Sequence, residues 1–210
     1  MARTPKPSGK KLPDKGKAQG RAAVEHRPER KRFLIVCEGE QTEPNYFKAF
    51  RVNAVVEVVG AGMVTTSLVA EAERLANQAD NNNRYDQVWV VFDKDSCSNQ
   101  DFNRAIEDAH KLGFFVAYSN EAFELWYVLH FNYMDSALHR SQYIEILTQH
   151  LWRTYQKNDP LLYETLLARQ ETALRNAKKL LETYQPHNPA TDNPCTTVHL
   201  LVDELNRHSR

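Results

Sequence analysis

The chain has 210 residues, 41% of them hydrophobic and 26% charged, enough for one ordinary domain with a real core and a helical elaboration. Its net charge of zero hides a division: residues 1–32 hold eleven Lys/Arg and three Asp/Glu, and the remainder holds sixteen and twenty-four, so a basic tail precedes an acidic body. No apolar run approaches the roughly 20 residues that span a bilayer, the N-terminus lacks a secretory apolar stretch, and Cys37, Cys97 and Cys195 have no paired spacing; a reducing cytoplasm with free thiols is the expected setting.

Residues 1–32 contain almost no large apolar side chains. They cannot bury enough surface to offset the entropy of ordering, and disorder is expected. Such a tail serves either as an arm that neutralises phosphate or as a solvated leader. In both cases a chain starting at Lys31 should melt at the same temperature as the full chain, and a large fall would show that the tail packs on the body.

Phe33–Cys37 (FLIVC) is apolar on both faces, as in a central parallel strand. Glu38-Gly39-Glu40 ends it. A helix then carries Tyr46, Phe47 and Phe50, with Thr42 as its expected N-cap and Pro44 in its first turn. Val55–Val59 is the second strand and Thr65–Gln78 the second helix. Val88–Phe92 (VWVVF) is a third apolar strand and runs into Asp93-Lys94-Asp95. An amphipathic helix over Asp101–Leu112 stops at Gly113, and Phe114–Tyr118 is the fourth strand. This alternation over 33–119 predicts an open, mainly parallel α/β sheet flanked by helices. Residues 120–210 read as a mainly helical extension of the same domain: Glu121–Phe131, 141–152, one long helix from Asp159-Pro160 to about Tyr184, and Val198–Asn206.

In an open α/β sheet the ligand site lies beyond the carboxyl ends of the strands. Glu38 follows the first strand, and Asp93 and Asp95 follow the third. In extended backbone, residues i and i+2 point the same way, and two carboxylates on one side need a counter-charge to ionise cheaply. Mg²⁺ or Mn²⁺ prefers hard oxygen ligands of this kind. The competing reading is that Asp-x-Asp only caps the turn after a strand; the conjunction with Glu38 favours the metal. Glu124, a carboxylate in an apolar helix, is a further ligand or a site-orienting group, or else half of a buried salt bridge. Lys94 should project to the other face, where it meets phosphate or solvent. Glu43 should serve the N-terminus of its helix. Arg169, Arg175, Lys178 and Lys179 on the long helix contact phosphate, or simply form a solvated face.

Four segments carry a resemblance. Ile35-Val36-Cys37-Glu38-Gly39-Glu40-Gln41-Thr42-Glu43 with Tyr46-Phe47, and Val90-Val91-Phe92-Asp93-Lys94-Asp95, are the first two. Asn120-Glu121-Ala122-Phe123-Glu124-Leu125-Trp126 with Leu129-His130-Phe131, and Asn193-Pro194-Cys195-Thr196-Thr197-Val198, are the others. In order, over about residues 31–206, they resemble the RloB-like proteins, bacterial phage-defence proteins related to the Toprim fold. Glu121 departs from that pattern, which would place Pro or a small residue there. The resemblance implies a Toprim-like domain in which Asp93 and Asp95 hold Mg²⁺ and Glu38 acts as general acid/base or ligand. It also implies an anti-phage, abortive-infection role and an ATPase partner subunit; a homodimer stays open beside that partner. Two functions follow: a metal-dependent nuclease acting on DNA or RNA, tRNA included, or a non-catalytic subunit that regulates the ATPase.

Overall fold

The computed structural model describes Met1 and residues 30–209, so the expected disorder of the basic tail falls almost wholly outside the described residues. At the tail's expected end, Arg32 already begins the first strand, and Lys31 Nζ lies 2.9 Å from Asp86 Oδ1.

Five strands form one sheet in the order β2-β1-β3-β4-β5. They are β1 (Arg32–Cys37), β2 (Val55–Gly60), β3 (Gln87–Asp93), β4 (Phe115–Asn120) and β5 (Cys195–Thr196). The first four run parallel, and only β5 runs antiparallel, against β4. The continuous apolar strands are buried on both faces, as their composition requires. Phe33, Ile35, Cys37, Trp89, Val91 and Ala117 face one layer of helices. Leu34, Val36, Val88, Val90, Phe92 and Val116 face the other. Phe33, Leu34, Ile35 and Val36 are fully buried, each contributing roughly 1.5–3 kcal/mol.

The helices are α1 (Thr42–Lys48), α2 (Thr65–Gln78), α3 (Asn99–Lys111), α4 (Glu124–Val128), α5 (Arg140–Leu151), α6 (Leu162–Leu167), α7 (Gln170–Glu182) and α8 (Val198–Asn206). α2 and α3 cover the even-numbered face, while α1, α4, α5, α7 and α8 build the larger core on the other. Connections from β1 lead to β2 on one side and from β3 to β4 on the other, so the topological switch point lies between β1 and β3. A crevice is expected at their carboxyl ends.

Several boundaries differ from expectation. Thr42 is the first residue of α1 rather than its cap; the cap position is Gln41, with no side-chain bond to the helix. α3 starts earlier, because the Ser98 hydroxyl accepts from the Asp101 N–H at 3.1 Å. The helix expected over Glu121–Phe131 contracts to Glu124–Val128, and Glu121 follows Asn120 through a cis peptide. The single long helix is two. It breaks at Arg169 (φ −112°, ψ 4°), where Gln170 is buried and its Oε1 accepts from Asn206 Nδ2 at 2.8 Å. That tertiary anchor sets where α7 begins, and helical periodicity alone does not register it.

Candidate functional site

The carboxyl ends of β1 and β3 are locked together: the Glu38 N–H donates to Val91 O at 2.8 Å. Glu38 Oε2 accepts from the Asp93 N–H at 3.1 Å, and Glu38 Oε1 accepts from the Thr65 hydroxyl at 3.0 Å. Thr65 opens α2, so the helix N-terminus also favours a negative charge here. Burial raises the Glu38 carboxyl, the Asp93 and Thr65 donors pull it down, and Asp95 raises it further.

Asp93 Oδ2 accepts from the Phe123 N–H at 3.0 Å, while Oδ1 is buried with no hydrogen-bond partner. Burial, then the charges of Glu43 and Glu124, push Asp93 well above the ordinary carboxylate range; Glu38 adds to this, against the pull of the Phe123 N–H. Asp95 reaches the same cavity by a different route from the one expected. The backbone leaves the extended conformation after Asp93, and Asp95 sits at φ +32° in a turn. Its carboxylate accepts from Arg140 Nη2 at 3.0 Å.

These groups line a cavity of about 380 Å³ with Glu40, Glu43, Glu124, Arg140 and Lys157. Glu43, expected only to serve a helix N-terminus, is 6% exposed and faces this space. Burial, then Glu124 and Glu38, raise it to about 7, against the pull of Lys157. A Cβ at Gly39 would collide with the Glu43 carboxylate, so the glycine after Glu38 makes room for a third acid. Glu124 is 5% exposed, and its partner is the Tyr155 hydroxyl, donating at 3.1 Å, rather than the Arg or Lys of a buried salt bridge. Removing that donor in Tyr155→Phe should leave a buried carboxylate unpaired and cost about 1–3 kcal/mol, read from urea unfolding.

None of the basic residues singled out in the sequence lines this cavity. Lys94 does project to the other face, but it is buried there rather than exposed, its Nζ bonded to Cys97 O and near the Phe102 ring. Arg169, Arg175, Lys178 and Lys179 are exposed on or beside α7 and are not part of the cavity lining. Arg169 lies over the Phe131 ring and Lys179 over Tyr133. The cations that do reach the cavity, Arg140 and Lys157, stand outside the strand-end motifs. Only the packing of α5 and the loop after it reveals them.

Three of the four resembling segments meet at the carboxylate cluster, namely β1 with its loop, the end of β3 and the turn into α4, and the fourth supplies β5, which pairs with β4. The RloB-like protein family matches residues 33–205, most of the chain. This chain belongs to the RloB-like family. Neither a curated protein nor a solved structure matches it. Among the described residues of the RloB-like protein, no three His, Cys, Asp or Glu side chains stand at the spacing of a finished metal centre. The donor set is nevertheless of the kind a hard cation takes: clustered carboxylate oxygens, one of them buried without a partner. Asp93 supplies the free oxygen, and Glu38, Glu43 and Glu124 supply the carboxylates around it. Among the described residues, no helix is long and apolar enough to cross a membrane.

Proposed function

We propose that the RloB-like protein is a metal-dependent nuclease that cleaves nucleic-acid phosphodiesters in bacterial anti-phage defence, beside a partner ATPase. The observation that carries this reading is the Glu38–Asp93 pair at the β1/β3 switch point, with Asp93 Oδ1 buried, unpartnered and surrounded by like charge. An acid so placed is stabilised by a cation. Mg²⁺ or Mn²⁺ bound there would polarise the phosphodiester and activate water. Asp93 would be the principal ligand, with Glu43 and Glu124 the neighbouring carboxylates that would assist it. Glu38, oriented by Thr65 and the Asp93 N–H, is the proton acceptor or an additional ligand. Asp95 orients Arg140 and completes the negative rim.

Two measurements test this. Anomalous scattering from Mn²⁺-soaked crystals should place a peak against Asp93; a peak elsewhere, or none, counts against the site. RNA and DNA should then be followed after phage challenge in cells carrying this chain with its chromosomal neighbours. Degradation that requires Asp93 supports the nuclease. Protection with intact nucleic acid, insensitive to Asp93→Asn, points to the non-catalytic ATPase-binding subunit.

A further inference from the structure

The loop after α5, which reaches the cavity at Lys157, carries an aromatic side chain that no packing explains. Trp152 is 94% exposed, and its backbone lies in the left-handed region, φ 56°, at the end of α5. A bulky residue with positive φ is uncommon, and here it holds an indole in solvent. Three residues on, Tyr155 is 5% exposed and donates to Glu124, which pins the loop to the carboxylate cluster. Two residues further, Lys157 lines the cavity. Five residues span at most about 17 Å, so Trp152 stands within a few nucleotides of the acidic floor. Arg140 enters the same cavity from the other end of α5. Its Nη2 is 3.0 Å from Asp95, and its buried Nε, without a hydrogen bond, faces Glu121 at 4.0 Å.

We infer that Arg140, Lys157 and Trp152 form the binding track for a single-stranded nucleic acid, with the two cations on phosphates at the cavity and an unpaired base stacked on Trp152. The inference rests on the nucleic-acid reading of the site and adds its substrate class. Arg140 and Lys157 are the two cations of an otherwise acidic cavity lining, so phosphate contacts there fall to them. A flat exposed aromatic at this distance is what stacking on a splayed base requires, and such stacking works on a strand whose bases are not paired.

Trp152 reports on its own test. The other tryptophans, Trp89 and Trp126, are 4% and 0% exposed, so quenching of the emission by added strand reads Trp152. The full chain is titrated with 12-nucleotide single-stranded RNA, single-stranded DNA and duplex DNA, with Ca²⁺ replacing Mg²⁺ to prevent cleavage. Quenching on a single strand is expected, with weak binding of the duplex. Trp152→Ala should weaken single-strand binding about tenfold, and an abasic oligonucleotide should erase that difference. Lys157→Gln and Arg140→Gln should each lower the slope of log affinity against log salt by about 0.7. Lys157 is exposed in a loop, so its variant keeps the test valid should Arg140→Gln unfold.

No binding by the unaltered chain, emission unmoved at saturation, or variants that bind as the unaltered chain does would each overturn the track. So would a Trp152→Ala chain that keeps its strand affinity but loses its partner protein, which would make Trp152 a protein-docking residue. Cleavage in Mg²⁺ is scored separately: a bound strand left intact by the unaltered chain, or one whose cleavage survives Asp93→Asn, removes the Asp93-centred nuclease reading and leaves the track standing.

Discussion

Asp93→Asn should reduce nuclease activity, and the phage protection that depends on it, by about 1,000-fold or more, because a ligand worth several kcal/mol of transition-state stabilisation is lost. The same change should leave the metal-free chain folded and more stable. Asp93 is held well above its ordinary range by burial and by Glu43 and Glu124, so its ionised form opposes folding at neutral pH, and a neutral isostere relieves that. Glu38→Gln should match the loss of activity with less effect on stability, since Thr65 and the Asp93 N–H already favour its charge. Asp95→Asn releases Arg140, and its loss should appear partly as weaker substrate binding. The Glu38 and Asp93 changes combined should be no worse than either alone, since they act as one unit. Activity of purified chains and metal-free melting curves check both halves. Full protection by all three variants would refute the catalytic site. Unfolding of all three would make these carboxylates structural caps.

The stability of the metal-free chain should fall as pH rises from about 4.5 to 7. Glu43 sits at about 7 when folded, raised by burial and by Glu124 and Glu38, against an ordinary value of 4.5. The folded chain therefore keeps a proton that the unfolded chain releases across that window, and stability drops with pH. The shift corresponds to about 3 kcal/mol, with Asp93 adding in the same direction. Glu43→Gln should flatten most of this dependence and raise stability at pH 8 by a comparable amount. Mg²⁺ should stabilise the unaltered chain more at pH 8 than at pH 5, because metal and protons compete for the same oxygens. Urea unfolding in chelator from pH 4.5 to 8 is the measurement. A flat or rising profile would show that water reaches Glu43 and that the cluster is not an electrostatic unit.

The parallel sheet was legible because FLIVC and VWVVF are apolar at every position, and only a strand covered on both faces tolerates that. The same strands placed Glu38 and Asp93 at one edge, since side chains just beyond adjacent parallel strands meet in this topology. β5 has no such signature: two residues, Cys195 and Thr196, carry no periodicity, and only pairing to Ser119 and Asn120 makes them a strand. The break at Arg169 was invisible for a related reason, because Gln170 is held by Asn206, 36 residues away.

Within the site, local chemistry determined which acids end the strands, and tertiary packing decided what surrounds them. Glu43 reads as an ordinary first-turn acid until the space at Gly39 and the nearness of Glu124 turn it inward. Lys94 reads as a free cation until α3 and the Cys97 carbonyl enclose it. Arg140 and Lys157 have no motif at all and reach the cavity only because α5 packs on α4 and Tyr155 ties its loop to Glu124. Strand ends are positioned by the backbone, whose pattern is written in neighbouring residues. Charges on distant helices are positioned by burial of their apolar faces, which depends on the whole core.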